Sequence, residues 1–433
     1  MPDAVARDTV AHPASRVADR AAAHLLIVGG GFAGLWAARA LAHAPLRITL
    51  LDRGNHHLFQ PLLYQVATAG LSSPDIAAPL RHILRRQDNV TVLMGEAVAI
   101  DSAQKIVRLA DGDTLGYDFL LLASGATHAY FGHDDWAAHA QALKTLDDAL
   151  LIRRRILSAF ERAEATDDDA ERKALLTFAI VGGGPTGVEL AGTLGEIARH
   201  TLKREFRRID PRQARVLLLE AGPRVLSSFP ESLSAKAQLQ LAKLGVEVRT
   251  GSAVTSIDAE SVTLGDERIA TRTVLWAAGV AASPLARSLG VPLDRAGRVR
   301  VEPDLGVPGQ PQVFVAGDLA TVQSNGKPVP GVAPAAKQMG KQVADAILAR
   351  IAGRATRPFR YRDWGNLATI GRRAAIVDLG KLRFSGFPAW SFWLMAHIFF
   401  LIGFRNRMVV LMDWAVAYWT HRRNARIIVG RDD

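Results

Sequence analysis

From about position 25 onward the apolar residues fall into short unbroken runs: LLIV at Leu25–Val28, ITLL at Ile48–Leu51, FAIV at Phe178–Val181, VLLL at Val216–Leu219 and VFVA at Val313–Ala316. Each run stops at a glycine or an acid and does not alternate with polar residues, which predicts strands buried on both faces of a parallel sheet. Two of the runs lead into glycine-rich turns and then into helices: LLIVGGGFAGL (Leu25–Leu35), with its helix over about 34–44, and TFAIVGGGPTGVEL (Thr177–Leu190). Val90–Ala126 and Val246–Val280 each read as a strand, a hairpin and a closing apolar strand. The pattern is that of an α/β chain.

The two glycine turns are copies. Gly29, Gly31 and Gly34 each precede Gly182, Gly184 and Gly187 by 153 positions, and Gly125 precedes Gly279 by 154. A whole domain is therefore duplicated. A strand, a glycine turn and a helix bring backbone N–H groups to a phosphate, and an acid ending the next strand accepts hydrogen bonds from a ribose. Asp52 and Glu220 hold that place, with the second offset stretched to 168 by a basic insertion at about 199–213. The pattern predicts two Rossmann-like dinucleotide-binding domains, one over 24–143 and 284–350, the other over 144–283. Residues 1–23 read as a disordered tail, and 351–433 as a separate C-terminal segment. Asp318 beside Gly317 sits at a strand end suited to a polyol or pyrophosphate, and the helix after it carries Lys337 and Gln338 in its first turn.

The C-terminal segment has no charged residue from Phe384 to Phe404. Gly386 and Pro388 break its start, leaving about 16 helical residues, or ~24 Å, against a hydrocarbon core of about 30 Å. The following MVVLMDWAVAYWTHRRNA predicts an amphipathic helix, with Asp413, Ala417, Thr420 and Asn424 on one face and Val410, Leu411, Trp414 and Tyr418 on the other. From Lys381 onward the net charge is +5 and four tryptophans cluster there. Basic and aromatic residues around apolar helices favour lying in an anionic membrane interface. Burial against a second copy is a further use of the same segment, which can serve both.

Composition narrows the chemistry. The chain has 433 residues, 49% hydrophobic and 22% charged, with a net charge of +11 and no cysteine. That excludes disulfide scaffolds, thiolate metal sites and a redox-active cysteine pair. His56 and His57 have no cysteine or carboxylate at ligand spacing, so no metal site is expected. The basic runs at 153–155 and 199–213 come with no aromatic platform, so nucleic acid is not an expected partner.

Together the two glycine turns, SGA at Ser124–Ala126, AAGV at Ala277–Val280 and VFVAGD at Val313–Asp318 resemble the two-dinucleotide, glutathione-reductase-like flavoprotein reductases. Within them FQPLLYQVATAGL, LLASGATHAYFGH, GGGPTGVELAG, LLLEAGPRVL and GFPAW…FLIGFRNR look like the type II NADH dehydrogenases, single-subunit NADH:quinone oxidoreductases that pump no protons. The resemblance implies a non-covalent FAD at Gly29, Gly31, Phe32, Ala33, Gly34, Asp52, Arg53, Gln60, Ser124, Gly125, Gly317 and Asp318. It implies NADH at Gly182, Gly184, Pro185, Thr186, Gly187, Glu189, Glu220, Ala278 and Gly279. A carboxylate at Glu220 favours NADH, while Arg224 keeps NADPH as a minor option. Glu189, Lys337, Gln338 and Lys381 are candidates for delivering protons to the quinone. Where many members carry an Ala-Gln dipeptide before the quinone-facing helix, this chain has Ala333 and Pro334.

The resemblance also implies a peripheral, monotopic place on the cytoplasmic face of the cell membrane, with a quinone and the lipid surface as partners and a homodimer as a further one. A soluble reductase for a ferredoxin-like carrier and a non-enzymatic FAD/NADH redox sensor are the competing functions.

Overall fold

The computed structural model describes residues 22–203, 205–402, 404–420 and 425–430; the expected tail lies almost wholly outside them. The first unit contributes β1 (Ala23–Val28), β2 (Leu46–Asp52), β3 (Val90–Met94) and β4 (Phe119–Leu122), with α1 (Phe32–Ala40) after β1. All four strands are parallel, and Leu25, Leu26 and Ile27 of the central strand are fully buried. The helix ends at Ala40, short of the expected 44.

The second unit repeats the design with β5 (Ala140–Ala142), β6 (Thr177–Val181), β7 (Arg215–Glu220), β8 (Val246–Thr250) and β9 (Thr273–Trp276). Here α2 (Leu146–Ala165) precedes the glycine strand and α3 (Pro185–Glu196) follows it. The order is β5-β9-β6-β7-β8, all parallel. Ala140–Ala142 therefore joins the second sheet, ahead of the expected boundary at 144; three residues of AQA carry no periodicity that could announce a strand.

The chain then returns to the first sheet through β10 (Gly306–Val307) and β11 (Gln310–Val315), completing the order β10-β11-β4-β1-β2-β3. Next comes α4 (Ala333–Ile351), packed on α1 so closely that a Cβ on Gly340 would lie 2.1 Å from the Ala33 oxygen. Pro334 sits in the first turn of α4, where no intrahelical N–H is lost.

The basic insertion is a folded loop after a π-helical turn at Ile197–Thr201, and not the solvated helix face the charge run suggests. The backbone N–H groups of Arg207, Arg208 and Ile209 donate to the Glu164 carboxylate. Arg208 and Arg212 pair with Asp167 and Asp210.

The C-terminal segment forms an antiparallel sheet, β12 (Asn366–Gly371), β13 (Ala374–Asp378) and β14 (Arg383–Ser385), and then α5 (Phe387–Phe400) and α6 (Phe404–Thr420). It does not stand apart. β12 lies on α3 so tightly that a Cβ on Gly192 would sit 1.6 Å from the Ile370 oxygen. Ala389, Trp393, Leu401 and Val410 are buried in one core with Phe160, Phe178 and Leu194 of the second unit.

With 14 residues, α5 is about 21 Å long. Among the described residues no helix is long and apolar enough to cross a membrane. The predicted amphipathic face of α6 is only partly realised. Val410 is buried and Trp414 donates to Gln65 Oε1 at 2.8 Å, but Leu411 and Met412 point outward while Asp413 is half-buried near Asp75. The side chains of Ala417, Tyr418 and Thr420, and all of Asn424, lie outside the described residues.

Candidate active site

Each site begins where a central strand turns into a helix. Gly29 has φ +108°, and a Cβ there would meet the Ala123 oxygen at 2.3 Å, so only glycine fits. Gly34 lets α1 approach the turn, its missing Cβ being 1.9 Å from the Gly29 oxygen. A Cβ on Gly31, by contrast, would meet no described residue within 4 Å other than its own chain neighbours. The first turn of α1, Phe32, Ala33 and Gly34, has no side-chain cap and no acid. Its N–H groups and the helix dipole face this open space, a ready anion site.

The second turn reproduces the first. Gly182 has φ +110° against Ala277, a Cβ on Gly187 would lie 1.8 Å from the Gly182 oxygen, and Gly184 is again open. Pro185 and Thr186 begin α3, which has no side-chain cap and no acid in its first turn.

The two acids are structural twins. Asp52 accepts from Gly30 N at 2.5 Å and Gly54 N at 2.7 Å. Glu220 accepts from Gly183 N and Gly222 N, both at 2.6 Å. Each carboxylate is thereby aimed at its own glycine turn with lone pairs left for ribose hydroxyls. Arg53 is exposed beside Asp52. Arg224 is committed to the carbonyls of Leu226, Ser227 and Phe229, which ties its guanidinium to its own loop.

Buried polar atoms test whether a cofactor belongs here. Ser124 Oγ, next to the Gly29 turn, and His57 Nε2 are buried with no hydrogen-bond partner. His57 donates through Nδ1 to the Gly30 oxygen at 3.0 Å, and burial holds its pKa below the usual value, so Nε2 is a free acceptor in the neutral ring. Orphaned groups of this kind around an open glycine cradle fit a nucleotide cofactor. Sequence reasoning weighed His57 only as a metal ligand and missed this role.

It also missed Lys144. The Lys144 ammonium pairs with Asp318 Oδ2 at 3.2 Å, and its carbonyl accepts from Gln60 Nε2 at 3.2 Å, joining the two units across the cleft. The Thr145–Asp148 capping box that seats α2 was legible as a motif; it places Lys144 just ahead of the helix. Gly317 has φ +77°, and a Cβ there would meet Ala33 and Ala336 at 3.5 and 3.6 Å, which places it where α1 and α4 meet. Ala278 and Gly279 follow β9, with Gly279 under Phe131 and its carbonyl accepting from Ala129 N. Gly125 has φ +69° and accepts from Ser283 N.

The four candidate proton carriers fare differently. Glu189 is buried on α3 with one long contact, Thr369 N to Oε1 at 3.5 Å. Burial pushes its pKa up to about 8. Lys337 lies over Trp36 at 4.3 Å and Phe400 at 5.5 Å, and burial, with Lys341 and Arg39 nearby, lowers its pKa. Gln338 spends both ends of its amide on the Arg362 backbone, at 3.0 and 2.9 Å, and so anchors the linker to β12. Lys381 is exposed in the β13–β14 turn. Because Thr369 pairs with Ala375 and Lys381 lies beyond Asp378 at the far end of β13, the fold does not bring it to Glu189.

Comparison with known proteins decides between the functions this frame allows. A family profile described as pyridine nucleotide-disulphide oxidoreductase matches residues 23–340, and one described as NDH2 C-terminal domain matches 364–423. The type II NADH:quinone oxidoreductase Ndh of Mycobacterium tuberculosis is 48% identical over 414 residues, 92% of this chain and 89% of that protein. The chain belongs to the type II NADH:quinone oxidoreductases.

Demethylphylloquinone reductase NdbB of Synechocystis is 30% identical over 405 residues, 90% of this chain and 95% of that protein. The structure of NDH2 from Plasmodium falciparum in complex with NADH superposes with a TM-score of 0.86 at 19% identity, covering 94% of this chain and 100% of that one, a likeness of fold. FAD and NADH are the cofactors of this type II chain. Having no cysteine, it lacks the disulfide chemistry in the wider family's description.

Proposed function

We infer that the chain oxidises NADH and reduces a membrane quinone through non-covalently bound FAD, without pumping protons. The observation that carries this is the pair of twin glycine turns and acids on one duplicated frame, in a chain that is 48% identical to a type II enzyme. Bound FAD supplies the two-electron relay between nicotinamide and quinone.

The first turn would hold FAD through Gly29, Gly31, the α1 N-terminus, Asp52 and Ser124, with Asp318 and Gln60 nearer the ring end. The second would hold NADH through Gly182, Gly184, the α3 N-terminus and Glu220, whose charge repels a 2′-phosphate. The Lys144–Asp318 pair spans the two units and keeps donor and acceptor in register.

Quinone reduction takes up protons. Glu189 holds one at its carboxyl at neutral pH, in a site where a charge is costly, and among the described residues a 3.5 Å contact alone restrains the carboxyl. Lys337, early on α4, is the second candidate for this role.

Attachment is to the cytoplasmic face of the membrane through the outward apolar residues of α5 and α6, Phe387, Met395, Phe399, Met408 and Met412 among them. This is also the face a second copy would use in a homodimer.

Purified protein is expected to carry flavin absorbance that NADH bleaches and a short-chain quinone restores. Bleaching without reoxidation by quinone would point to a soluble protein carrier as the acceptor and overturn the reading.

A further inference from the structure

Away from the glycine turns, a cleft of about 800 Å³ opens between α1, the segment 74–85, the first turn of α4 and the α5–α6 connection. Among the described residues four cations line it, Arg39, Arg85, Lys337 and Arg407, and no carboxylate does. Among the described residues none of the four forms an ion pair with an acid.

Other contacts hold them. Arg39 lies 4.5 Å and Lys337 4.3 Å from the centre of the Trp36 ring. Arg85 donates to the His82 carbonyl at 2.8 Å. Arg407 donates to the carbonyls of Leu401 and Phe399, at 2.8 and 3.0 Å. Asp75, next to the wall residue Pro74, is buried, and its Oδ2 is taken by Ser72 N and Oγ. Four cations thus converge on one concavity with no acid among its described lining residues, an arrangement that selects an anion.

The other half of the lining selects a chain. Phe399, Phe400 and Ile402 form an apolar rim, and Phe399 is 69% exposed. Asn406 fixes this rim to the opposite wall by donating to the Pro74 carbonyl at 3.2 Å. A ligand matching both halves is an amphiphile with an anionic head. Arginines favour a phosphate, to which a guanidinium can donate two bonds.

We propose that this cleft binds the phosphate headgroup of an anionic phospholipid, whose acyl chains run out over Phe399 and Ile402 onto the exposed face of α5. The proposal rests on the reading that α5 and α6 lie on a membrane. It adds a lipid-selective site to a surface that otherwise attaches through apolar contact and general basic charge.

The test is isothermal titration of the detergent-solubilised holoenzyme with monomeric dihexanoyl phosphatidylglycerol. The expected result is saturable binding, at least tenfold tighter than that of dihexanoyl phosphatidylcholine. Binding should weaken at least tenfold in the double variant Arg39→Gln, Arg85→Gln, with bound flavin and Tm kept. If the double variant loses flavin, Arg85→Gln alone carries the test, with a loss of at least threefold expected.

Equal binding of the two lipids, or an unchanged affinity in the variant that keeps flavin, overturns the proposal. Inorganic phosphate binding as tightly as the anionic lipid overturns the lipid as source. Vesicle flotation of the wild type is run alongside; its failure would remove membrane attachment as a reading while the titration still reports on the cleft.

Discussion

Glu189 shows what a single residue's environment does to its chemistry. The carboxyl is buried with a pKa of about 8, against an ordinary value of 4.5. Below about pH 4.5 it is neutral in both the folded and the unfolded chain, and its burial costs nothing in charge. Between 4.5 and 8 the unfolded chain releases the proton and the folded one keeps it, so stability falls by about 1.4 kcal/mol per pH unit. Above 8 the penalty is complete. Glu189→Gln removes this dependence, so the Tm of the variant should pull ahead of the wild type as pH rises from 5 to 8, measured by thermal denaturation. A Tm difference independent of pH would mean that Glu189 is ionised when folded.

At this scale some residues were legible and others were not. Asp52 and Glu220 announce themselves because an acid ending an apolar run, at a set distance from a glycine turn, is a local pattern. His57 and Lys144 do not, because what defines them is a partner far along the chain: Gly30 for one, Asp318 for the other.

Among the elements, α3 links the cofactor frame to the C-terminal segment. Its N-terminus faces the open space at Gly184, and its middle carries Gly192 against the Ile370 carbonyl. The proteins of this family could have joined these parts by a loose linker; here the β12 backbone is seated directly on the helix. Gly192→Ala puts a methyl 1.6 Å from a backbone oxygen and should cost about 3 kcal/mol, the upper end of ordinary overpacking. The check is a lowered Tm together with faster amide exchange in β12 and β13. Unchanged exchange there would show that α3 does not hold the C-terminal sheet.

The helices after the glycine turns and the two sheets could be read from the sequence because each belongs to a repeated strand, turn and helix motif, while the 20-residue α2 was not among the expected elements. The short strand Ala140–Ala142 and the inward turn of Asp413 could not, since both are set by neighbours.

For the whole molecule, the C-terminal helices have two jobs on opposite sides. Inward, Trp393, Leu401 and Val410 complete a core shared with the second unit. Outward, Phe387, Met395 and Met412 are 51%, 61% and 59% exposed. Deleting the segment would therefore test folding as much as attachment. The cleaner variant is Phe387→Ser, Met395→Ser, Met412→Ser, which leaves the inner side intact. It should keep flavin and NADH-dependent bleaching but lose most of its flotation with anionic vesicles, at least fivefold less bound protein in a sedimentation assay. Retained flotation would move the attachment surface elsewhere.

By itself the sequence determined the duplicated frame, the two cofactor turns with their acids, the absence of cysteine chemistry and an uncharged C-terminal run with basic flanks. These are properties of local order and composition: which residue types follow one another, and at what spacing. Only the tertiary structure decided how the two turns at Gly29 and Gly182 are joined through Lys144 and Asp318. Only it decided that Gln338 is held by the Arg362 backbone, that Lys381 stands apart from the buried Glu189, and that four cations with no acid partner among the described residues gather in one cleft. Burial and charge balance depend on every chain segment that packs around a group, and spacing along the sequence carries no record of that packing.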